Sequence, residues 1–350
     1  VKRLFAALLV LAAGCSSTPE KAKPDAKKDD EAPAAKPASP RPEVAPVTTR
    51  IEAGPLRLTV SVSRTAQVFH VVDQLSAWSP FCHLQYSRVL HYPESARQLL
   101  ADHAAIRARL GWNHGLERAL YTTDDVDTAL ERAVRENVLT ADEASRERKV
   151  LDFFDGLLDE ELRATRPRVE AFAARIASQA PAVGATATKL MRLVGIEKVL
   201  EVPVFLIWNP ADIDTGGGFN GGVLALEVPV KGDALPTFMH EIFHAILNEE
   251  RGKIASTAQA AQGLDAETLN EGIAYALSPG ILHEGEDDPL ADQVADDRFR
   301  QRPFENPYVR FNRFGLEIRP ILVEALAKPT GFDAFLARTL EAWDRVSKGN

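Results

Sequence analysis

Apolar and polar positions change period several times along the chain. Leu56-Arg57-Leu58-Thr59-Val60-Ser61-Val62 alternates strictly, the pattern of a half-buried strand. Arg64–Trp78 then carries Val68, Val71, Val72 and Leu75 at helical spacing. From Pro93 to Gly195 the helical period persists in five segments: Glu94–Leu110, Asp124–Asn137, Ala141–Thr165, Pro167–Gln179 and Ala182–Leu193. Thr140 with Glu143 reads as a capping box, and Pro167 starts a new helix or kinks a long one. Glu143, Arg146, Glu147 and Arg148 read as a solvated face. The pattern turns β-like at Glu197–Trp208. A Gly-rich run, Asp214–Gly222, and a strand at Val223–Val230 follow. Asp233–Glu250 is a helix apolar nearly all round, with Phe238, Met239, Ile242, Phe243, Ile246 and Leu247, and it is expected to be buried. Arg251–Asp265 reads as a polar loop. Leu269–Leu277 is a further helical run, ended by Ser278-Pro279-Gly280. Tyr308–Leu326 and Phe332–Val346 close the chain as helices. The expectation is an α+β protein, mostly helical, with a small sheet.

Composition adds limits. With 350 residues, 45% hydrophobic and 26% charged, the chain can build one or two domains. A net charge of −9 and the lack of a long basic patch argue against a nucleic-acid partner. At the N-terminus, Lys2 and Arg3 precede the apolar stretch Leu4–Ala13, too short to span a bilayer as a helix. Ala12-Ala13-Gly14-Cys15-Ser16 resembles a bacterial lipobox. This implies a signal peptide over residues 1–14, a lipid on Cys15 as the membrane tether, and a place in the bacterial cell envelope. Residues 15–47, rich in Pro, Ala and Lys, read as a disordered spacer. Cys82 is then the one remaining thiol and is expected to be a small buried residue.

The candidate chemistry lies in the buried helix. His240-Glu241-Ile242-Phe243-His244 sets two imidazoles one turn apart on one face, where both reach a single metal ion. Glu241 is offset by one residue, so it can act on a metal-activated water without being a ligand. Burying these polar groups in an apolar helix is costly without partners, and a metal is such a partner. A catalytic zinc takes three protein ligands, and Glu271 in the following helical run is the obvious third. His70 and His83 are expected to be ordinary structural histidines. The Gly-rich run lacks the Gly-Lys-Ser/Thr ending of a phosphate loop and reads first as a flexible hairpin connection.

His240-Glu241-x-x-His244 followed by Asn270-Glu271-Gly272 resembles the gluzincin metallopeptidases over roughly residues 200–280. The resemblance implies a zincin-like core, with Zn2+ held by His240, His244 and Glu271 and Glu241 as general base. It divides the folded chain into a mainly helical N-terminal lobe, 48–195, and a catalytic lobe with C-terminal helices, 196–350. It implies that Gly217, Gly218 and Phe219 belong to an edge strand, or its lip, that pairs with an extended peptide substrate. It also implies an oxyanion donor, for which Tyr275, His283, Tyr308 and Arg313 are available and Tyr308 is preferred. One position departs from the pattern: thermolysin-like enzymes carry Asp one turn after the glutamate ligand, and here it is Tyr275.

The expected function is zinc-dependent hydrolysis of peptide bonds in a peptide or protein. The alternative is a surface lipoprotein that uses the same core for non-peptidase chemistry, binding or structure.

Overall fold

The computed structural model describes residues 47–348 except 80, 84, 211–215, 232, 278–303 and 329. The expected signal peptide, Cys15 and nearly all of the spacer lie outside the described residues, as does His283. Strands β1 (Val47–Ala53) and β2 (Leu56–Val62) form an antiparallel hairpin. The turn between them uses Gly54 at φ +59°, a conformation that costs glycine little. β2 then pairs in parallel with β3 (Leu200–Trp208), and β3 in parallel with β5 (Val223–Val228). The short β4 (Gly217–Asn220) closes the far edge antiparallel to β5, so the order is β1-β2-β3-β5-β4. The boundary expected at residue 195 therefore passes between strands that share one sheet, and Ala45–Asn350 cluster as one compact unit.

Eight helices fill the crossover between β2 and β3. They are α1 (Arg64–Ser76), α2 (Tyr86–Val89), α3 (Ala96–Leu110), α4 (Gly115–Tyr121), α5 (Val126–Arg135), α6 (Ala141–Leu157), α7 (Asp159–Ser178) and α8 (Ala180–Val194). The capping box of Thr140 and Glu143 starts α6 as expected. The next break falls at Leu158, not at Pro167, which sits inside α7. Asp159, Glu160 and Glu161 form an acidic first turn that favours a helix start there. Arg64 pairs with both Asp155 and Asp159 across the break.

The expected solvated face of α6 is only half correct. Glu147 is fully buried, and its carboxylate bonds His103 Nδ1 at 2.9 Å. His103 Nε2 meets Asp73 at 3.1 Å, Arg107 Nε meets Asp73 at 2.7 Å, and Arg107 also pairs with Glu117. Burial works against the charge on His103, yet Glu147 and Asp73 raise its pKa to about 9. This ionic core ties α1, α3, α4 and α6 together where periodicity alone predicts only apolar contact. Cys82 is buried as expected, and burial raises its thiol pKa to about 11.

After the sheet come α9 (Leu235–Leu247), α10 (Arg251–Gln259) and α11 (Ala266–Leu277), then α12 (Pro307–Ala327) and α13 (Phe332–Lys348). α10 occupies part of the expected polar loop, anchored by buried Ile254 and Ala258. α9 lies against β4 and β5, and α11 against α9 and α12. Among the described residues, no helix is long and apolar enough to cross a membrane.

The turn of the first hairpin packs directly on α8. A Cβ on Gly184 would lie 2.6 Å from Gly54 N and 2.7 Å from the Ala53 carbonyl carbon. Both are backbone atoms and cannot rotate away. Gly184→Ala should therefore cost about 3 kcal/mol from overpacking, more than the roughly 1 kcal/mol that alanine gains in a helix. Urea unfolding should show a lower midpoint for the variant; an unchanged midpoint would refute this contact as a constraint.

Candidate metal centre

α9 forms because its apolar residues are buried on every side, from Leu235 to Leu247. Pro236 occupies the first turn, where its missing N–H costs nothing, and Asp233 Oδ1 accepts from Leu235 N at 3.0 Å. One helical turn brings His240 Nε2 and His244 Nε2 to 3.0 Å. Glu271, from α11, sets Oε2 at 3.4 Å from His240 Nε2 and Oε1 at 3.3 Å from His244 Nε2. Ligand atoms from these three residues all lie within 4.8 Å of one another. Two imidazole nitrogens 3.0 Å apart either share a proton in a hydrogen bond or turn their lone pairs to a common cation. Two nitrogens and one carboxylate are a donor set that suits zinc. The residues present therefore fit the metal.

Without a metal, protons take its place. Burial lowers the His244 pKa, but the Glu271 carboxylate outweighs this and raises it to about 9. Burial likewise opposes ionisation of Glu271, yet His244 and His240 hold its carboxyl well below the usual range.

The outer partner of His244 is Asn270, whose amide lies 2.8 Å from Nδ1. For Nε2 to offer a lone pair to a metal, Nδ1 must carry the proton. Asn270 Nδ2 stands there, and a half-turn of the amide puts its oxygen in place to accept that proton. His240 instead rests edge-on against the Tyr275 ring, with centroids 4.8 Å apart. Tyr275, one turn after Glu271 on the same helix, thus sets an aromatic face beside His240. Two glycines hold this helix pair close. A Cβ on Gly272 would stand 2.6 Å from Phe314 Cδ1, and one on Gly315 would stand 2.8 Å from Tyr275 Cβ. Close approach of α11 and α12 thus fixes Glu271 and Tyr275 on their shared helix.

Glu241 is buried, only 5% exposed, and does not join the three ligands. Burial raises its pKa, which makes the carboxylate a stronger base than an exposed one. The backbone N–H of Phe219 donates to it. A Cβ on Gly217 would stand 2.9 Å from Glu241 Cγ and 3.0 Å from Oε1. Gly217 is therefore a close-approach position, and the edge strand lies directly on the carboxylate. Gly221 and Gly222, at φ +59° and +84°, form the two-residue turn that joins β4 to β5. Register then sorts the backbone groups of β4. Gly216 and Glu227 exchange a ladder bond, so the N–H and C=O of Gly217 and Phe219 face the free edge.

The edge strand forms one lip of a cleft of about 650 Å³ that contains the three ligands and Glu241. Gly217, Gly218 and Phe219 all line it, as do Tyr275 and Tyr308. Tyr308, 43% exposed, stacks edge-on with Phe81, centroids 5.7 Å apart, and Phe81 does the same with Trp112. Arg313 turns away, its guanidinium 5.2 Å above the Phe304 ring, and takes no part in the cleft.

His83, expected to be an ordinary structural histidine, also lines the cleft. Its Nδ1 lies 3.2 Å from Glu227 Oε2. Glu227 is buried on β5 and also engages His70 at 2.9 Å, Tyr86 Oη at 2.8 Å, Asn209 at 2.9 Å and Gly216 N at 3.1 Å. Burial opposes its charge, but the two histidines hold its carboxyl well below the usual range. The one sequence signal of this cluster was a glutamate at an inward position of the strand Val223–Val230.

No protein-family model, curated protein or solved structure matches the chain.

Metal binding must displace the proton from His244. Below about pH 9 the apparent zinc affinity should therefore rise with pH, by up to tenfold per unit for this proton. Chelator competition at pH 6 and pH 8 should show weaker binding at the lower value; a flat profile would exclude His244 as a ligand.

Proposed function

We propose that this chain is a zinc metallopeptidase built on a zincin-like core of the gluzincin kind. The observation that carries the proposal is the convergence of His240, His244 and Glu271 beside an offset, buried Glu241, beneath a free strand edge. His240, His244 and Glu271 would hold the zinc, which would supply a Lewis acid for the scissile carbonyl and lower the pKa of water. The protein's own groups do the rest. Asn270, with its amide oxygen turned to Nδ1, would keep His244 in the tautomer that offers Nε2. Glu241 takes the proton of the attacking water and passes it to the departing amine, a role suited to a carboxylate of raised basicity. The N–H and C=O of Gly217 and the C=O of Phe219 offer backbone groups on which an extended peptide can add as a further strand. Tyr308 and Tyr275, both in the cleft, are the hydroxyl donors available to a developing oxyanion. The lipobox-like sequence around Cys15 supports a lipid-anchored enzyme of the bacterial cell envelope, acting on peptides or proteins.

Elemental analysis of the purified protein should give near one zinc per chain, with a sharp loss in Glu271→Ala. No zinc after reconstitution would sink the metal assignment. Glu241→Gln should keep the zinc but lose turnover by about 10²–10⁴-fold, the usual contribution of a general base. Wild-type turnover in that variant, measured on a fluorogenic peptide library, would remove Glu241 from the mechanism.

A further inference from the structure

The cleft does not end at the edge strand. Beyond Phe219 it opens into a second cavity of about 510 Å³, between the β4–β5 turn, the start of α4 and the end of α9. His114, Phe219, Asn248 and Arg251 line both spaces, and Arg118 lines the second. Among the described residues, no carboxylate lines this second cavity, although the chain as a whole carries a net charge of −9. Its cations are held in different ways. Arg118 is braced by Glu136 at 2.9 Å, and the turn residue Gly221 sits against the backbone of His114. His114 is tied to Glu117 at 2.9 Å. Arg251, exposed at the start of α10, pairs with no described carboxylate. An arginine fork facing an acid-free cavity beside an amide side chain is a receptor for a carboxylate.

Strand geometry says which part of a peptide reaches it. β4 runs from Gly217 toward the turn at Gly221. A peptide adding antiparallel, the more stable pairing, runs the opposite way. Its N-terminal half then lies at the turn, beside Arg118 and Arg251, while its later residues pass Gly217 and Glu241. We propose that this cavity is a subsite for an acidic side chain, Asp or Glu, on the N-terminal side of the bond to be cleaved. The inference takes from the peptidase reading only that the ligand is a peptide lying along β4.

The test uses the zinc-reconstituted Glu241→Gln protein and fluorescently labelled eight-residue peptides of neutral sequence. One set carries a single Glu near the N-terminus, a second carries it near the C-terminus, and a third has Gln in its place. Each is made as free acid and as C-terminal amide, and binding is read by fluorescence anisotropy. The N-terminal Glu should bind about tenfold tighter than its Gln counterpart, the usual scale of a charge-assisted pair. That advantage should persist in the amide, shrink at high salt and vanish in Arg251→Gln, with Arg118→Gln as a second probe. Equal binding of Glu and Gln peptides would overturn the subsite, as would an advantage that survives both arginine substitutions. A preference for Glu near the C-terminus would overturn the proposed direction. Affinity set by the free C-terminus would replace the side chain with the terminal carboxylate and overturn the proposal as stated. Acid-dependent binding by a protein whose wild type cleaves none of these peptides would leave the subsite standing and count against the peptidase reading alone.

Discussion

Two imidazole nitrogens held 3.0 Å apart inside an apolar helix are the constraint on which the surrounding structure depends. Burial denies them water, so they must share a proton or hold a cation in common. Glu271, brought from another helix, adds a buried negative charge that requires a protonated imidazole or a metal in turn. Each group is stable only in the presence of the others. This mutual dependence explains why α11 is pinned so closely. Gly272 and Gly315 remove the two Cβ atoms that would otherwise separate α11 from α12. Asn270 on the same helix reaches the far side of His244. One short helix therefore carries the Glu271 carboxylate, the amide that meets His244 Nδ1, and the aromatic face behind His240.

A second buried charge supports the other side of the site. Glu227 gathers His70, His83, Tyr86, Asn209 and Gly216 N around a single carboxylate. It thereby fastens the beginning of the edge strand to β5 and to the helical crossover at once. The crossover has its own ionic core, from Glu147 through His103 and Asp73 to Arg107 and Glu117, and ends at His114 on the cleft wall. The helical region is thus a wall of the site as well as scaffolding. It contributes Trp112 and His114 directly.

The edge strand connects these parts to chemistry. Gly217 admits the Glu241 carboxylate, and Phe219 donates an N–H to it. The Glu241 carboxylate and the edge strand therefore pack directly on each other. The same strand ends at a turn packed on His114 and Arg118, and the second cavity beside that turn shares His114, Phe219, Asn248 and Arg251 with the cleft.

Much of this was legible in the sequence, where the physics is local. Two histidines at helical spacing in a helix apolar all round announce a buried pair, because one turn of helix alone sets their separation. Alternation located β2, the β-like run located β3, and the Thr140 and Glu143 pair marked the start of α6. Glu271 was legible because few polar groups punctuate the next helical run. The glycines show where local reasoning stops. Gly216 to Gly222 read as one flexible run, yet Gly216 and Gly217 are required by close approach of His83 and Glu241, and Gly221 and Gly222 by positive φ. The strand β1, rich in threonine and arginine, is a strand only because β2 pairs with it. Glu147 and Glu227 looked like ordinary acids, since burial of a charge depends on partners from helices far away in the chain. Spacing along one helix determined the ligand pair. Only the tertiary structure, by bringing distant backbones within a glycine's width, decided the base's neighbours, the cleft and its charged end.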